Sequence, residues 1–190
     1  GEGFQFSSDA DWAGLYSVNF EVRSRSGAVG KYDGFPFAWL SQFQNCKGTE
    51  YKEGHDIAQS SCESESYALA DMCKTVVHLQ HFANEVGIAM PMPTVINVDA
   101  EAAIAYVRRT GGGGRMKHID LQEQWVQLMK DRTRIETASI DGKSNEADFF
   151  TKIYTKKEFR KANQKLMGKL PSFLCQSREP ANIHSNGSTN

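Results

Sequence analysis

The sequence contains no apolar run near the roughly 20 residues that a helix needs to cross a bilayer, so a helical membrane protein is excluded. Cysteine is sparse and scattered: Cys46, Cys62, Cys73 and Cys175 make no C-x-x-C pair with metal-ligand spacing, which favours free thiols over disulfides or zinc. Free thiols in a reducing compartment are the expectation. Positive charge is also in short supply. The formal net charge of -1 excludes a protein that coats nucleic acid indiscriminately, since that binding draws on a large cationic excess, and any contact with a polyanion has to come from local basic patches. The N-terminus, Gly1-Glu-Gly-Phe-Gln-Phe, has no starting Met, no basic region and no apolar stretch, and reads as a segment cut from a longer chain rather than a signal peptide. No internal repeat is present.

What is there is the composition of an ordinary globular domain: 39% hydrophobic and 24% charged residues, enough apolar surface in 190 residues for one sizeable core and one active site. Residues 1–170 are expected to form that domain and the polar residues 171–190 a disordered tail. Phe4 and Phe6 alternate with polar residues, Tyr16 to Val22 alternates again, and Phe35-Pro-Phe-Ala-Trp-Leu is a third short apolar run, together an antiparallel meander with turns at Gly27, Gly30 and Gly34. The polar stretch Asn45 to Asp56 reads as a hairpin tip or loop. From Ser61 the period lengthens: Leu69, Met72, Cys73, Val76 and Leu79 recur at three- and four-residue steps, between an N-cap at Ser60 or Ser61 and a stop at Gly87. Thr94 to Val98 is a buried strand, Ala100 to Arg108 a short helix, and Ile119 to Lys130 a second helix after the break Thr110-Gly-Gly-Gly-Gly. Arg134 to Ile140 alternates as a last strand, and a final helical region runs from Ser144, with a break near Ile153, to about Leu170. This order predicts an α/β fold, a mixed sheet with helices packed on its faces.

Four acids stand out by position. Asp9 and Asp11 share one face of the first strand, and either can be functional without the other. Glu65 stands four residues before Leu69, on or beside the apolar stripe of its helix, where a carboxylate needs a partner or a cation. Asp99 directly follows a predicted central strand, at the carboxyl end where ligand sites gather in open α/β sheets, and Asp148 falls in the first turn of the final helix. Each acid taken singly reads as a solvated side chain or a helix cap. As a set they offer hard oxygen ligands converging on one point of the sheet.

The chain resembles the ribonuclease H domain of copia-type LTR-retrotransposon polyproteins from about Phe4 to Ile153. Ser8-Asp-Ala-Asp-Trp-Ala-Gly is similar to that family's opening strand, and Arg23-Ser-Arg-Ser-Gly with Gly34-Phe-Pro-Phe-Ala-Trp-Leu-Ser to its Arg-Ser-x-Ser-Gly and Trp-x-Ser stretch. Ser60-Ser-Cys-Glu-Ser-Glu-Ser-Tyr-Ala-Leu resembles its Ser-Ser-Thr-Glu-Ala-Glu-Tyr helix start. Val98-Asp-Ala-Glu-Ala-Ala-Ile-Ala, Arg115-Met-Lys-His-Ile-Asp and Asn145-Glu-Ala-Asp-Phe-Phe-Thr-Lys resemble the family's Asp-Asn-x-x-Ala-Ile, Arg-Thr-Lys-His-Ile-Asp and Ala-Asp-x-x-Thr-Lys, all in the same order. The resemblance implies a ribonuclease H-like, three-layer α/β/α fold with a mixed five-stranded sheet. It implies an endonuclease that hydrolyses the RNA strand of RNA/DNA hybrids, with two Mg²⁺ or Mn²⁺ ions held by Asp9, Glu65, Asp99 and Asp148 and products ending in 5'-phosphate and 3'-hydroxyl. It favours Asp9 over Asp11 and Glu65 over Glu63, and implies a reverse transcriptase domain as partner in a parent polyprotein. The setting it implies is intracellular and cytoplasmic, with a virus-like particle as one form of it.

Two departures accompany the match. The family's Asn after the third acid is Ala100 here, and Glu101 stands where Gln is common, changes expected to weaken minor-groove contacts or repel a phosphate. Residues 134–146 contain no His, so no catalytic histidine is assigned. Arg108, Arg109, Arg115, Lys117 and His118 flank the four glycines and are candidates for phosphate contact, as are Lys157, Lys161 and Lys165 on one helix stripe, each balanced by a solvated-surface reading. His78 and His81 read as surface or packed histidines, and Trp12, Trp39 and Trp125 as core or edge packing. The competing functions are a hybrid- or protein-binding module of the same fold with weakened catalysis, and a DNA-joining nuclease or transposase.

Overall fold

The structure, a computed structural model, describes residues 3–12, 24–44, 58, 60–108 and 117–167, with the backbone alone for 106 and 117–123. Strands β1 (Phe4–Asp11), β2 (Arg25–Tyr32) and β3 (Phe35–Phe43) form an antiparallel meander, and β4 (Thr94–Val98) and β5 (Ile135–Ser139) extend the sheet in parallel from β1, giving the order β3-β2-β1-β4-β5. The parallel step from the meander to β4 requires a crossover, and helix α1 (Ser61–Glu85) supplies it. Helices α2 (Glu101–Arg108) and α3 (Lys117–Asp131) connect β4 to β5. Two 3₁₀ turns, Gly142–Ser144 and Glu146–Phe150, then lead into α4 (Lys156–Met167).

The long helix forms where its apolar period and its caps agree. Ser60 accepts a hydrogen bond from the Glu63 amide at 3.2 Å, and Leu69, Met72, Cys73 and Val76 lie on one fully buried stripe. Gly87 takes the left-handed conformation at φ 75°, and Ile88 donates back to the Ala83 carbonyl at 2.8 Å, which satisfies the last turn. The stripe packs on one face of the sheet with Phe6, Ala28, Ile96, Val98 and Ile135, joined by Ile104 and Val126 from α2 and α3. A smaller cluster of Val29, Ala147 and Leu166, with Phe149 and Phe150 against it, covers the opposite face. Helices and turns on both faces of one mixed sheet make the three-layer α/β/α fold. Among the described residues no helix is long and apolar enough to cross a membrane.

The meander differs from expectation in its middle strand. Gly27 and Gly30 are not turn residues; both lie inside β2, where they lack a side chain because neighbours occupy its place. A Cβ on Gly30 would meet the Phe6 ring at 2.8 Å, and one on Gly27 would meet Thr151 Cγ2 at 2.5 Å. Only Gly34 serves a turn, at φ 85°. The expected strand at Tyr16 to Val22, the loop from Asn45 to Asp56, the domain boundary at 170 and the tail 171–190 lie outside the described residues. The final helical region expected from Ser144 with a break near Ile153 is the 3₁₀ turn Glu146–Phe150, capped by the extended Asn145 (φ -70°, ψ 107°), then a break, then α4 from Lys156. Cys73 is buried as a free thiol and Cys62 is half-buried, while Cys46 and Cys175 lie outside the described residues. Trp125 packs on the core, whereas Trp39 is 67% exposed on the edge strand β3.

Gly30→Ala is therefore expected to overpack the fully buried Phe6 and to cost about 1–3 kcal/mol in urea unfolding. A change within about 0.5 kcal/mol, as at an ordinary surface site, would show that the ring gives way freely.

Candidate metal centre

Asp9 lies near the end of β1 and Asp99 one residue beyond β4, and these two strands are parallel neighbours with Ser8 opposite Val98. The register thus brings the two carboxylates side by side at the carboxyl ends of adjacent strands. Asp148 arrives on the second 3₁₀ turn. That turn is fastened to all three strands of the meander: Asn145 Nδ2 donates to the Ser8 carbonyl of β1 at 2.9 Å, Lys31 of β2 donates to both Glu146 oxygens at 3.0 and 2.8 Å, and Ser41 of β3 donates to the Phe150 carbonyl at 2.7 Å. Asn145 Oδ1 also accepts from the Ala147 amide at 3.1 Å, capping the turn from within.

One carboxylate oxygen from each of Asp9, Asp99 and Asp148 lies within 4.8 Å of the others. Glu65, on the second turn of α1, is outside that group of three, yet the charges of all three act on it. Glu63 turns elsewhere and accepts a hydrogen bond from the Tyr67 hydroxyl at 2.9 Å. Asp11 is half-buried at the end of β1 and takes no part in the cluster.

The electrostatics follow from crowding acids where water is scarce. Burial raises the Asp9 carboxyl, the Thr151 hydrogen bond pulls it back, and the charges of Asp148 and Asp99 lift it again, leaving it at about 7. Burial also lifts Glu65, with Asp9 and Asp99 adding to it and a backbone hydrogen bond from Ala10 opposing, to about 8. Among the described residues Lys152 is the cation that acts on Asp9, and its ammonium pairs with Asp148, four residues earlier in sequence. Burial pulls that ammonium down, but the hydrogen bond and charge of Asp148, with Asp9 behind it, hold it above its ordinary value. Two buried oxygens, Glu65 Oε2 and Asp99 Oδ1, have no hydrogen-bond partner. Three clustered carboxylates, all hard oxygen donors and with Asp99 Oδ1 unpartnered, fit Mg²⁺ or Mn²⁺ rather than a softer metal.

The remaining candidates are dispersed. Arg115 lies outside the described residues, and Lys117 and His118 open α3, of whose first residues only the backbone is described. Lys157 and Lys161 are exposed on α4. Arg108 reaches toward the Thr137 carbonyl at 3.4 Å, and with Glu101, Ile104, Ala105 and Ser139 it lines a pocket beside α2. His81 Nε2 lies 3.2 Å from a guanidinium nitrogen of Arg134. Sequence reasoning quoted Asn145, Glu146 and Thr151 within a motif without giving them a task. Lys31 carried no signal at all.

Five strands in this order, with a long crossover helix and acids at the carboxyl ends of the central pair, define the ribonuclease H fold. LC11-RNase H1, isolated from compost by a metagenomic approach, superposes with a TM-score of 0.51 at 12% identity, covering 86% of this chain and 99% of that one. The same protein solved in complex with an RNA/DNA hybrid gives 0.51 at 12% identity, over 84% and 99% of the two chains. In sequence, the chain is 27% identical over 152 residues to the Retrovirus-related Pol polyprotein from transposon TNT 1-94 of Nicotiana tabacum. The match covers 80% of this chain and 10% of the polyprotein, so the chain spans about a tenth of the length of the curated relative it matches. The chain thus resembles the ribonuclease H domain of a copia-type LTR-retrotransposon polyprotein. No protein-family model matches it.

The raised acids set the sign of a pH effect in metal-free protein. Below about pH 4 Asp9 and Glu65 are protonated in both states; as pH rises the unfolded chain releases these protons first, so stability falls until the folded values of about 7 and 8 are passed. In chelator, the thermal midpoint is expected to drop between about pH 5 and about pH 8, and Asp9→Asn to flatten the drop. A wild-type midpoint that rises over this range would contradict the electrostatics described.

Proposed function

We propose that this chain is a ribonuclease H, an endonuclease that hydrolyses the RNA strand of RNA/DNA hybrids, with residues 1–170 as its catalytic domain and 171–190 as a polar tail. The observation that carries the reading is the convergence of Asp9, Asp99 and Asp148 within 4.8 Å at the carboxyl ends of two parallel strands. Asp9, Glu65, Asp99 and Asp148 would hold two Mg²⁺ or Mn²⁺ ions. The chemistry such ions supply when bound is activation of a water and neutralisation of charge on the phosphate and its leaving oxygen, which leaves 5'-phosphate and 3'-hydroxyl ends.

The chain's own residues prepare that chemistry. Asp9 and Asp99 are fixed by strand register, so their oxygens do not have to be gathered when substrate arrives. Asp148 is held by the fastened turn, and Lys152 screens it until a stronger cation competes. Arg115, Lys117, His118, Lys157 and Lys161 are the proposed contacts to the hybrid's phosphates, each adding to affinity without reading sequence. The remainder of a retrotransposon polyprotein, including a reverse transcriptase domain, is the proposed partner, and the cytoplasm, including a virus-like particle, the proposed setting.

The test is cleavage of a hybrid labelled on either strand, with Mg²⁺ or Mn²⁺. The wild-type chain is expected to cut the RNA strand alone, chelation to abolish cutting, and Asp99→Asn to lower it by about 100-fold or more, the scale on which losing one electrostatic group of a transition state is felt. Asp99→Asn also relieves carboxylate crowding, so its thermal midpoint is expected to match or exceed the wild-type value. A folded wild-type chain that binds hybrid and cuts neither strand would instead establish a binding module, with Ala100 and Glu101 as the first positions to restore.

A further inference from the structure

Asp9 is opposite Gly27 in the antiparallel register of β1 and β2, and both face the layer made by the 3₁₀ turns. A glycine there leaves a slot on the sheet surface. Thr151, 3% exposed and directly after the second turn, fills the slot with its methyl group, in the space where a Gly27 side chain would begin. So placed, Thr151 donates its hydroxyl to Asp9 Oδ2 across 142 residues of sequence, with the Asp148 carbonyl as a longer acceptor at 3.2 Å. One side chain therefore joins the strand that carries Asp9 to the turn that carries Asp148.

We propose that Thr151 is the positioning residue of the divalent-cation site: its hydroxyl fixes the orientation of the Asp9 carboxylate, and the missing side chain at Gly27 creates the place from which it does so. This rests on the reading of the acidic cluster as a metal centre. The physical case is that the terminal torsion of an aspartate is broad and two-fold, so a carboxylate without a directional partner samples many orientations. A cation site that must order it at the moment of binding loses affinity, whereas a ligand already oriented by a hydrogen bond does not. Lys152 is no substitute, because its ammonium goes to Asp148. The same slot explains why Gly27 belongs in the middle of a strand, where glycine is otherwise a poor choice.

Packing and positioning make opposite predictions for two small substitutions. Thr151→Val keeps the methyl in the slot and removes the hydroxyl; Thr151→Ser keeps the hydroxyl and removes the methyl. Mn²⁺ affinity is measured on the whole chain by the loss of the free-ion paramagnetic resonance signal, with urea midpoints taken in parallel and Asp99→Asn as the control for the metal centre. Thr151→Val is expected to weaken Mn²⁺ binding by about 10- to 100-fold, the usual consequence of losing a group that orients a ligand, with Thr151→Ser near the wild-type value. Should Thr151→Val fail to fold, Thr151→Ala against Thr151→Ser isolates the hydroxyl, and equal affinities in that pair would overturn the proposal. Wild-type affinity in Thr151→Val, alongside a loss in Asp99→Asn, would overturn the positioning role and leave the metal centre standing. Absence of Mn²⁺ binding by the wild-type chain would overturn both.

Discussion

Several carboxylates share one poorly hydrated end of the sheet, and the neighbouring structure answers to that crowding. Asp9 is 5% exposed and faces Asp99 and Asp148, so its ionisation is opposed both by lost solvation and by like charge. Left to relax, such side chains would swing apart into water. They do not, because the backbone that carries them is held elsewhere. Two of the acids are pinned by the parallel register of β1 and β4, and the third by a short turn that is hydrogen-bonded to each strand of the meander. Rigidity at this end is what keeps an electrostatically costly arrangement in place.

The Lys31 to Glu146 pair shows how that rigidity is obtained. Lys31 is nearly buried on β2, and withdrawing its ammonium from water offsets much of the attraction to Glu146. The pair's value lies in place rather than in net stability: a two-pronged contact at 3.0 and 2.8 Å allows the turn little freedom to slide along the sheet. Stability comes mainly from the opposite face, where α1 lays Leu69, Met72, Cys73 and Val76 against Phe6 and Ile96 in a dry core. The two faces thus divide the work, one supplying hydrophobic burial and the other a fixed frame for charge.

Glycine marks the places where this frame is tightest. Gly30 lets the Phe6 ring reach across the sheet surface, and Gly27 lets the turn bearing Asp148 lie close to β2. Gly142 lies near Asp99, since a Cβ there would stand 3.1 Å from Asp99 Oδ2. None of these three has a positive φ, so conformational freedom is not their reason; proximity is.

The sequence alone determined what local physics encodes. The three- and four-residue period from Leu69 to Val76 with Ser60 before it and Gly87 after it specified α1, and the β-branched run Thr94 to Val98 specified β4, because propensity, cap and pattern agree within each segment. The ordered motifs pointed to a ribonuclease H-like fold and singled out Asp9, Glu65, Asp99 and Asp148, of which the structure groups Asp9, Asp99 and Asp148 and leaves Glu65 outside that group. It could not show that Gly27 and Gly30 lie inside a strand, since the atoms that require glycine there come from Thr151 and Phe6, residues far away or on another strand. Nor could it foresee the contacts of Lys31, Asn145, Ser41 and Thr151 that hold the turn bearing Asp148. Those contacts span about 110 to 140 residues of chain, and a long-range contact exists only once the whole sheet has chosen its register.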